Sequence, residues 1–412
     1  MLVHWIWLAT RPELRDRDKA VLLQRFSDPE EIFFAEPAAF SDMELSREQI
    51  QSLLDKDIRE AEAVLRQCRD KRIHVLTMQD ASYPSRLKNI TDPPVVLYYK
   101  GNLPDLDGVP VVGVVGTRSA SVYGLNTAKQ LGYEIGLCGG IVVSGIAGGI
   151  DGLAMRGALG SGMPVIGILG CGVDVIYPRS NRDLFADTEN HGCLISEFTP
   201  GTPPYKWNFP KRNRIISGMC DGVLVVEAPK KSGALITARQ AADQGRDVFV
   251  VPGNLGVASC EGSNQLLRDG AIPVTCGWDL MSEYEHRYPG KIRRADANYQ
   301  LRVYPDEVAK SLDATAEKVA QRTMLPKKVI KSSKKTIDKE ELPPYSDGND
   351  IHPQLTESEQ GLLDLLGEEE RLVDDLIAAS GLHAGLVLAT LTMLEVKGVV
   401  RSLPGRRVAR KQ

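Results

Sequence analysis

No G-x-x-x-x-G-K-S/T phosphate loop occurs in this 412-residue chain, which removes the best-known nucleoside triphosphatase signature. C-x-x-C spacing is also missing. The seven cysteines are scattered and odd in number, a pattern of reduced cytoplasmic thiols that suits neither a disulfide framework nor a zinc site. The six histidines are dispersed, without metal-ligand spacing or a paired nucleophile. No apolar run is long enough to span a bilayer. Residues 1–10 are apolar but lack the basic lead and cleavage site of a signal peptide, so a soluble cytoplasmic protein without membrane contact is expected. Nor is there a strong charge bias: a net charge of -4 and a pI near 6.0 confine any polyanion site to a local patch.

The length suits roughly two or three domains. Residues 1–75 read as a small helical module. Residues 19–26 and 45–65 carry apolar residues at helical spacing, the latter through Ile50, Leu53, Leu54, Ile58, Ala61, Val64 and Leu65. Their side chains suggest no chemistry. Strand-like runs follow at 73–76 and 95–99. Six more, at 111–115, 141–143, 165–169, 193–196, 223–226 and 248–251, alternate with helical patterns. Most are continuous β-branched runs, as expected of parallel strands covered on both faces, and the alternation predicts an α/β fold with a doubly wound sheet over 76–285. Ligands of such sheets sit beyond the carboxyl ends of the strands, which points to the loops after Val115, Val143, Leu169, Ser196 and Val226. Residues 286–350 are rich in Lys, Asp and Ser and read as a flexible charged linker with some helix at 306–322. In 351–412, three helical runs and a hairpin follow the plan of a winged helix. Its third run, 384–395, carries few side chains able to read bases, so protein interaction stands beside DNA reading.

Three stretches could carry chemistry. Ser144-Gly145-Ile146-Ala147-Gly148-Gly149-Ile150-Asp151 joins a strand to a helix, and its backbone N–H groups with the helix dipole suit an anion such as phosphate. Asp151 has a sufficient role in capping its helix. Gly116-Thr117-Arg118-Ser119 forms a second such loop, with Arg118 as phosphate ligand or plain surface residue. The third, 205–214, interleaves Tyr205, Trp207 and Phe209 with Lys206, Lys211, Arg212 and Arg214, the composition of a single-strand site. The alternative makes Trp207 and Phe209 core anchors and ties the arginines to Glu197 or Glu227. Arg179 adds a cation on the same rim. No acid ends the strand after either glycine loop, which argues against a dinucleotide, and no cofactor is expected.

With these residues in hand, the chain resembles the DNA-processing protein A (DprA/Smf) family over about 83–271. The resemblance rests on Val115-Gly116-Thr117-Arg118, Tyr123-Gly124, the 144–151 loop, Tyr177-Pro178, Ser196-Glu197, Phe209-Pro210-Lys211-Arg212-Asn213-Arg214, the 232–238 stretch and Val251-Pro252-Gly253. It implies a Rossmann-like domain, an N-terminal SAM-like helical module and a C-terminal winged helix. It implies further a non-enzymatic protein that binds single-stranded DNA, protects incoming strands in natural transformation, loads the RecA recombinase and forms a homodimer through the Rossmann-like domain. The family's DNA pocket would fall on Gly116, Thr117, Arg118, Ser144, Gly145, Ala147, Gly148, Gly149, Arg179, Lys206, Phe209, Lys211, Arg212 and Asn213. A competing expectation is a phosphoribohydrolase-like enzyme of the same fold. Its signature glutamate has no counterpart after Thr237, where Ala238-Arg239 follow.

Overall fold

The computed structural model describes residues 2–294, 357–367, 370–380, 387, 390, 391, 394, 399–403 and 407–410. They fall into two compact units, within Met1–Lys328 and within Val329–Gln412. Most of the expected linker, 295–350 with its helix at 306–322, lies outside the described residues.

The first unit is organised by a nine-stranded sheet in the order β1-β2-β6-β5-β4-β3-β7-β8-β9. Its strands are β1 (His74–Thr77), β2 (Val96–Gly101), β3 (Val111–Val115), β4 (Ile141–Ser144), β5 (Val165–Ile168), β6 (Gly192–Ser196), β7 (Gly222–Val225), β8 (Asp247–Val250) and β9 (Ile272–Pro273). Strands β3 to β9 run parallel, while β2 pairs antiparallel with both β1 and β6. Every residue of β3 to β7 is buried, which explains why the strands read as unbroken β-branched runs. The short β9 escaped the sequence reading because it spans two residues and ends in a proline that cannot donate to the ladder.

After β3 the chain moves to β4, β5 and β6 on one side, then returns to β7 on the other side of β3. The carboxyl ends of β3 and β7 therefore flank the topological switch point, where such sheets open a crevice. The helices Val122–Leu137 and Ile150–Gly160 cover one face, and Asn208–Met219 with Gly233–Asp243 the other. The first pair packs at backbone distance. A Cβ on Gly132 would lie 2.1 Å from the Ala154 carbonyl oxygen.

The N-terminal helices are Leu2–Thr10, Asp16–Phe26, Pro29–Phe34, Arg47–Leu54 and Arg59–Asp70. Trp7, Ile6, Leu8, Leu22, Ile32 and Leu53 belong to the same apolar core as Val96, Tyr98 and Val112 of the sheet. The single helical run expected at 45–65 is two helices. The Asp55 carboxylate accepts from the Asp57 N–H at 3.0 Å, and that of Asp57 from the Arg59 N–H at 2.9 Å; such local bonds compete with a continuous helix.

In the second unit the helices Glu357–Leu366 and Val373–Ser380 accompany a three-stranded sheet of β10 (Arg371–Leu372), β11 (Val400–Leu403) and β12 (Arg407–Arg410). The hairpin β11–β12 and a core of Leu362, Leu363, Leu366, Leu376 and Val408 give the winged-helix plan. The third helix, 384–395, lies outside the described residues except for 387, 390, 391 and 394.

Because Trp7 is fully buried in the shared core, Trp7→Ala should cost about 3–5 kcal/mol. Amide hydrogen exchange should accelerate in β3 and β4 as well as in Leu2–Thr10. An effect confined to the N-terminal helices would contradict a shared core.

Candidate functional site

The loop from β4 to the helix Ile150–Gly160 is held by bonds from behind. Ser144 is fully buried, and its Oγ donates to the Val114 carbonyl at 2.6 Å. That hydroxyl clamps β4 to β3. Ile146 adopts φ 52°, a left-handed conformation that costs a β-branched residue on the order of 1–3 kcal/mol. Asn181 Nδ2 holds it there, donating to the Ile146 and Ala147 carbonyls at 3.0 and 3.1 Å. Gly149 has φ 81°, and a Cβ there would lie 2.4 Å from the Thr117 carbonyl oxygen, so only glycine fits.

Asp151 folds back instead of capping its own helix. Its Oδ2 accepts from the Gly145 N–H at 3.2 Å in a buried site. Burial pushes its carboxyl above the usual range, against the pull of Arg212 and the Gly145 N–H. The protein's own carboxyl group thus takes the inner donor of the loop. The N–H groups of Ala147, Gly148 and Gly149 have no partner among the described residues, and Gly148 faces open space. An incoming anion is left this outer arc.

The helix Asn208–Met219 lies across the loop. Asn208 Nδ2 donates to the Gly170 carbonyl at 3.0 Å. Arg212 donates to the Gly145 carbonyl at 3.1 Å, to that of Ile168, and to Asn213 Oδ1 at 3.2 Å. Burial pushes its guanidinium down to about 10, with Asp151 opposing the shift. Arg212 and Asn213 were expected to touch the strand. Arg212 donates to the loop and to Asn213. Three residues earlier on the same face, the half-buried Phe209 ring lies 5.5 Å from the Tyr177 ring and 5.5 Å from the exposed Arg118 guanidinium.

Two adjoining clefts meet here. The larger, about 360 Å³, is lined by Gly116, Thr117, Arg118, Ala147, Asp151, Phe209, Arg212 and Asn213, and across the switch point by Lys231, Ser232, Gly233 and Thr237. The smaller, about 190 Å³, shares Arg118, Ala147, Phe209 and Arg212 and adds Gly145, Gly148, Tyr177 and Ser180. Sequence reasoning had assigned no contact to Lys231 or Ser232. Their signal was the hydroxyl at Ser232, which accepts from the Ala234 N–H at 3.3 Å and caps the helix Gly233–Asp243, so that a second positive helix end faces the groove. Lys231 is exposed and has no partner among the described residues.

Ser144, Gly149, Arg179, Lys206 and Lys211 line neither cleft. Arg179 and Lys206 are exposed at the margin. Lys211 has carboxylate partners. Its Nζ lies 2.9 Å from Asp16 and 3.4 Å from Glu197, and although burial opposes it, these carboxylates hold its pKa above the usual value. Arg214, buried beside it, pairs with the same two groups at 2.8 and 2.5 Å. Asp16 comes from the N-terminal helices, which were expected to carry no chemistry, so the structure joins them to the site helix. Among the described residues Glu227 pairs with no arginine; it accepts from the Ser121 hydroxyl at 2.6 Å and the Ser121 N–H at 3.1 Å.

The family model described as DNA recombination-mediator protein A matches residues 74–285, and one described as DprA winged helix domain matches 350–406. The DNA processing protein DprA of Bacillus subtilis is 41% identical over 224 residues, 54% of this chain and 75% of that protein. Protein Smf of Synechocystis is 34% identical over 351 residues, 84% of this chain and 82% of that one. The crystal structure of DNA processing protein A from Streptococcus pneumoniae superposes with a TM-score of 0.61 at 33% identity, covering 69% of this chain and 98% of that chain.

The Asp16 network yields a pH signature. Burial alone would raise the Asp16 carboxyl, but Lys19, Lys211 and Arg214 hold it well below the usual range. A depressed carboxylate stabilises the fold fully above pH about 4 and progressively less below it. Asp16→Asn should therefore cost about 1.5–3 kcal/mol at neutral pH, and the gap to wild type in urea unfolding should narrow as the pH falls from 7 towards 3. A gap independent of pH would contradict the pairing.

Proposed function

The chain belongs to the DNA recombination-mediator protein A family, and from that premise we propose that it binds single-stranded DNA in the switch-point groove without cutting it. The observation that carries the reading is convergence. Two loops with unpartnered N–H groups or a guanidinium, and a capped helix end bearing Lys231, surround one half-buried ring. Arg118 and Lys231 attract the backbone, the outer arc 147–149 accepts a phosphate, and Phe209 stacks a base. Lys206 and Arg179 extend the track beyond the clefts.

A non-enzymatic role fits the chemistry of the walls. Among the described residues Asp151 is the one carboxylate lining the larger cleft, and it is buried and engaged by the Gly145 N–H. No histidine among the described residues lines either cleft. In this reading the protein works in the cytoplasm, shields entering strands and hands them to the RecA recombinase. A homodimer formed through the Rossmann-like domain places two tracks on one strand, which raises avidity with strand length.

Titration of labelled oligo-dT, duplex DNA and mononucleotides at two salt concentrations tests this. Oligo-dT should bind in preference to duplex. Arg118→Ala should flatten the logarithmic salt slope by about 0.7, the value of one single-strand phosphate contact, while Phe209→Ala should cost about 1–3 kcal/mol at unchanged slope. Unaltered affinity and slope in both variants, or base release from mononucleotides, would overturn the proposal.

A further inference from the structure

The loop leading into the helix Asn208–Met219 carries a second aromatic feature that the clefts do not contain. Tyr205 and Trp207 stack with ring centroids 4.8 Å apart and planes 7° from parallel. Both are open to solvent, Tyr205 at 45% and Trp207 at 71%. Trp5 and Trp7 are buried and Trp278 half-buried, so Trp207 is the one tryptophan of the four that is exposed. Nor is the pair loosely held. The Asn208 N–H donates to the Tyr205 carbonyl at 3.0 Å, and Asn208 itself is buried and tied to Gly170.

Tyr205 backs one face of the indole and leaves the other open. Lys206, exposed and without a partner among the described residues, sits between the two rings in sequence. Trp207 and Phe209 are two positions apart at the start of the helix, and residues so spaced do not face each other. They cannot sandwich the same base.

We propose that Trp207, backed by Tyr205, is a second stacking platform for an unpaired nucleobase, continuing the strand's path outside the two clefts. The inference rests on the single-strand reading of the groove. A flat open ring beside a free cation matches a ligand that alternates π-faces with phosphates. An apolar protein surface would leave Lys206 without a counter-charge.

The test uses the full chain with oligo-dT of about five and about fifteen nucleotides, lengths within the span of compact single-strand sites. Affinity is read by anisotropy of the labelled DNA, and occupancy of the platform by intrinsic tryptophan fluorescence, in which Trp207 is the solvent-facing emitter. The long oligonucleotide should quench that emission. Trp207→Ala should weaken long-oligonucleotide binding by roughly 5- to 150-fold, the factor a stacked base contributes, while leaving the short one and the salt slope unchanged. Trp207→Phe should keep the affinity and lose the quenching, which separates stacking from a folding defect. Wild-type affinity of Trp207→Ala for both lengths, or no quenching in the wild type, would overturn the platform alone. Failure of wild type to bind either oligonucleotide would remove the groove's reading, and the platform with it.

Discussion

Burial of one guanidinium, that of Arg212, sets the geometry of the groove. Moving such a charge out of water costs several kcal/mol unless its donors find acceptors. The acceptors here are the carbonyls of Gly145 and Ile168, at the carboxyl ends of two adjacent parallel strands, and the nearby Asp151 carboxylate favours the charged form. Satisfying Arg212 locks the helix Asn208–Met219 over the glycine loop and aims Phe209, on the same helical face, at the groove. The loop has its own supports in Ser144, Asn181 and Asp151. A site fixed before its ligand arrives loses little ordering entropy on binding.

The same helix carries charge in two directions. Lys211 and Arg214 point away from the clefts into a shared set of carboxylates, Asp16 and Glu197, and so attach the N-terminal helices to the element that bears Phe209. The cations left for a polyanion are Arg118, Lys231, Lys206 and Arg179, all exposed. This division reconciles a slightly acidic chain with the polyanion site we propose. The positive potential is local, and much of the basic character of 206–214 is internal.

The sheet was legible because parallel strands buried on both faces must be apolar throughout; β3 spans the expected 111–115. The glycine loops were legible for a related reason, since close backbone approach and left-handed φ angles restrict the residue types allowed, as at Gly149. What could not be read was the destination of charged side chains whose partners are remote. Arg214 meets Asp16 across 198 residues, and Ser121 meets Glu227 across 106. Within 206–214 the alternation of rings and cations gave no means of separating Lys206, which has no partner among the described residues, from Lys211, which pairs with Asp16 and Glu197. Trp207 was open to two readings for the same reason: nothing local distinguishes a core anchor from an exposed ring until Tyr205 is seen stacked on it.

The central claim is that the prepared rim at the ends of β3, β4 and β7 grips unpaired DNA. Amide hydrogen exchange of the full chain with and without saturating oligo-dT tests it most directly. Slowed exchange should appear at 116–118, 147–149 and 232–234. Protection confined to residues 357–410, with those three segments exchanging as in the free protein, would contradict it.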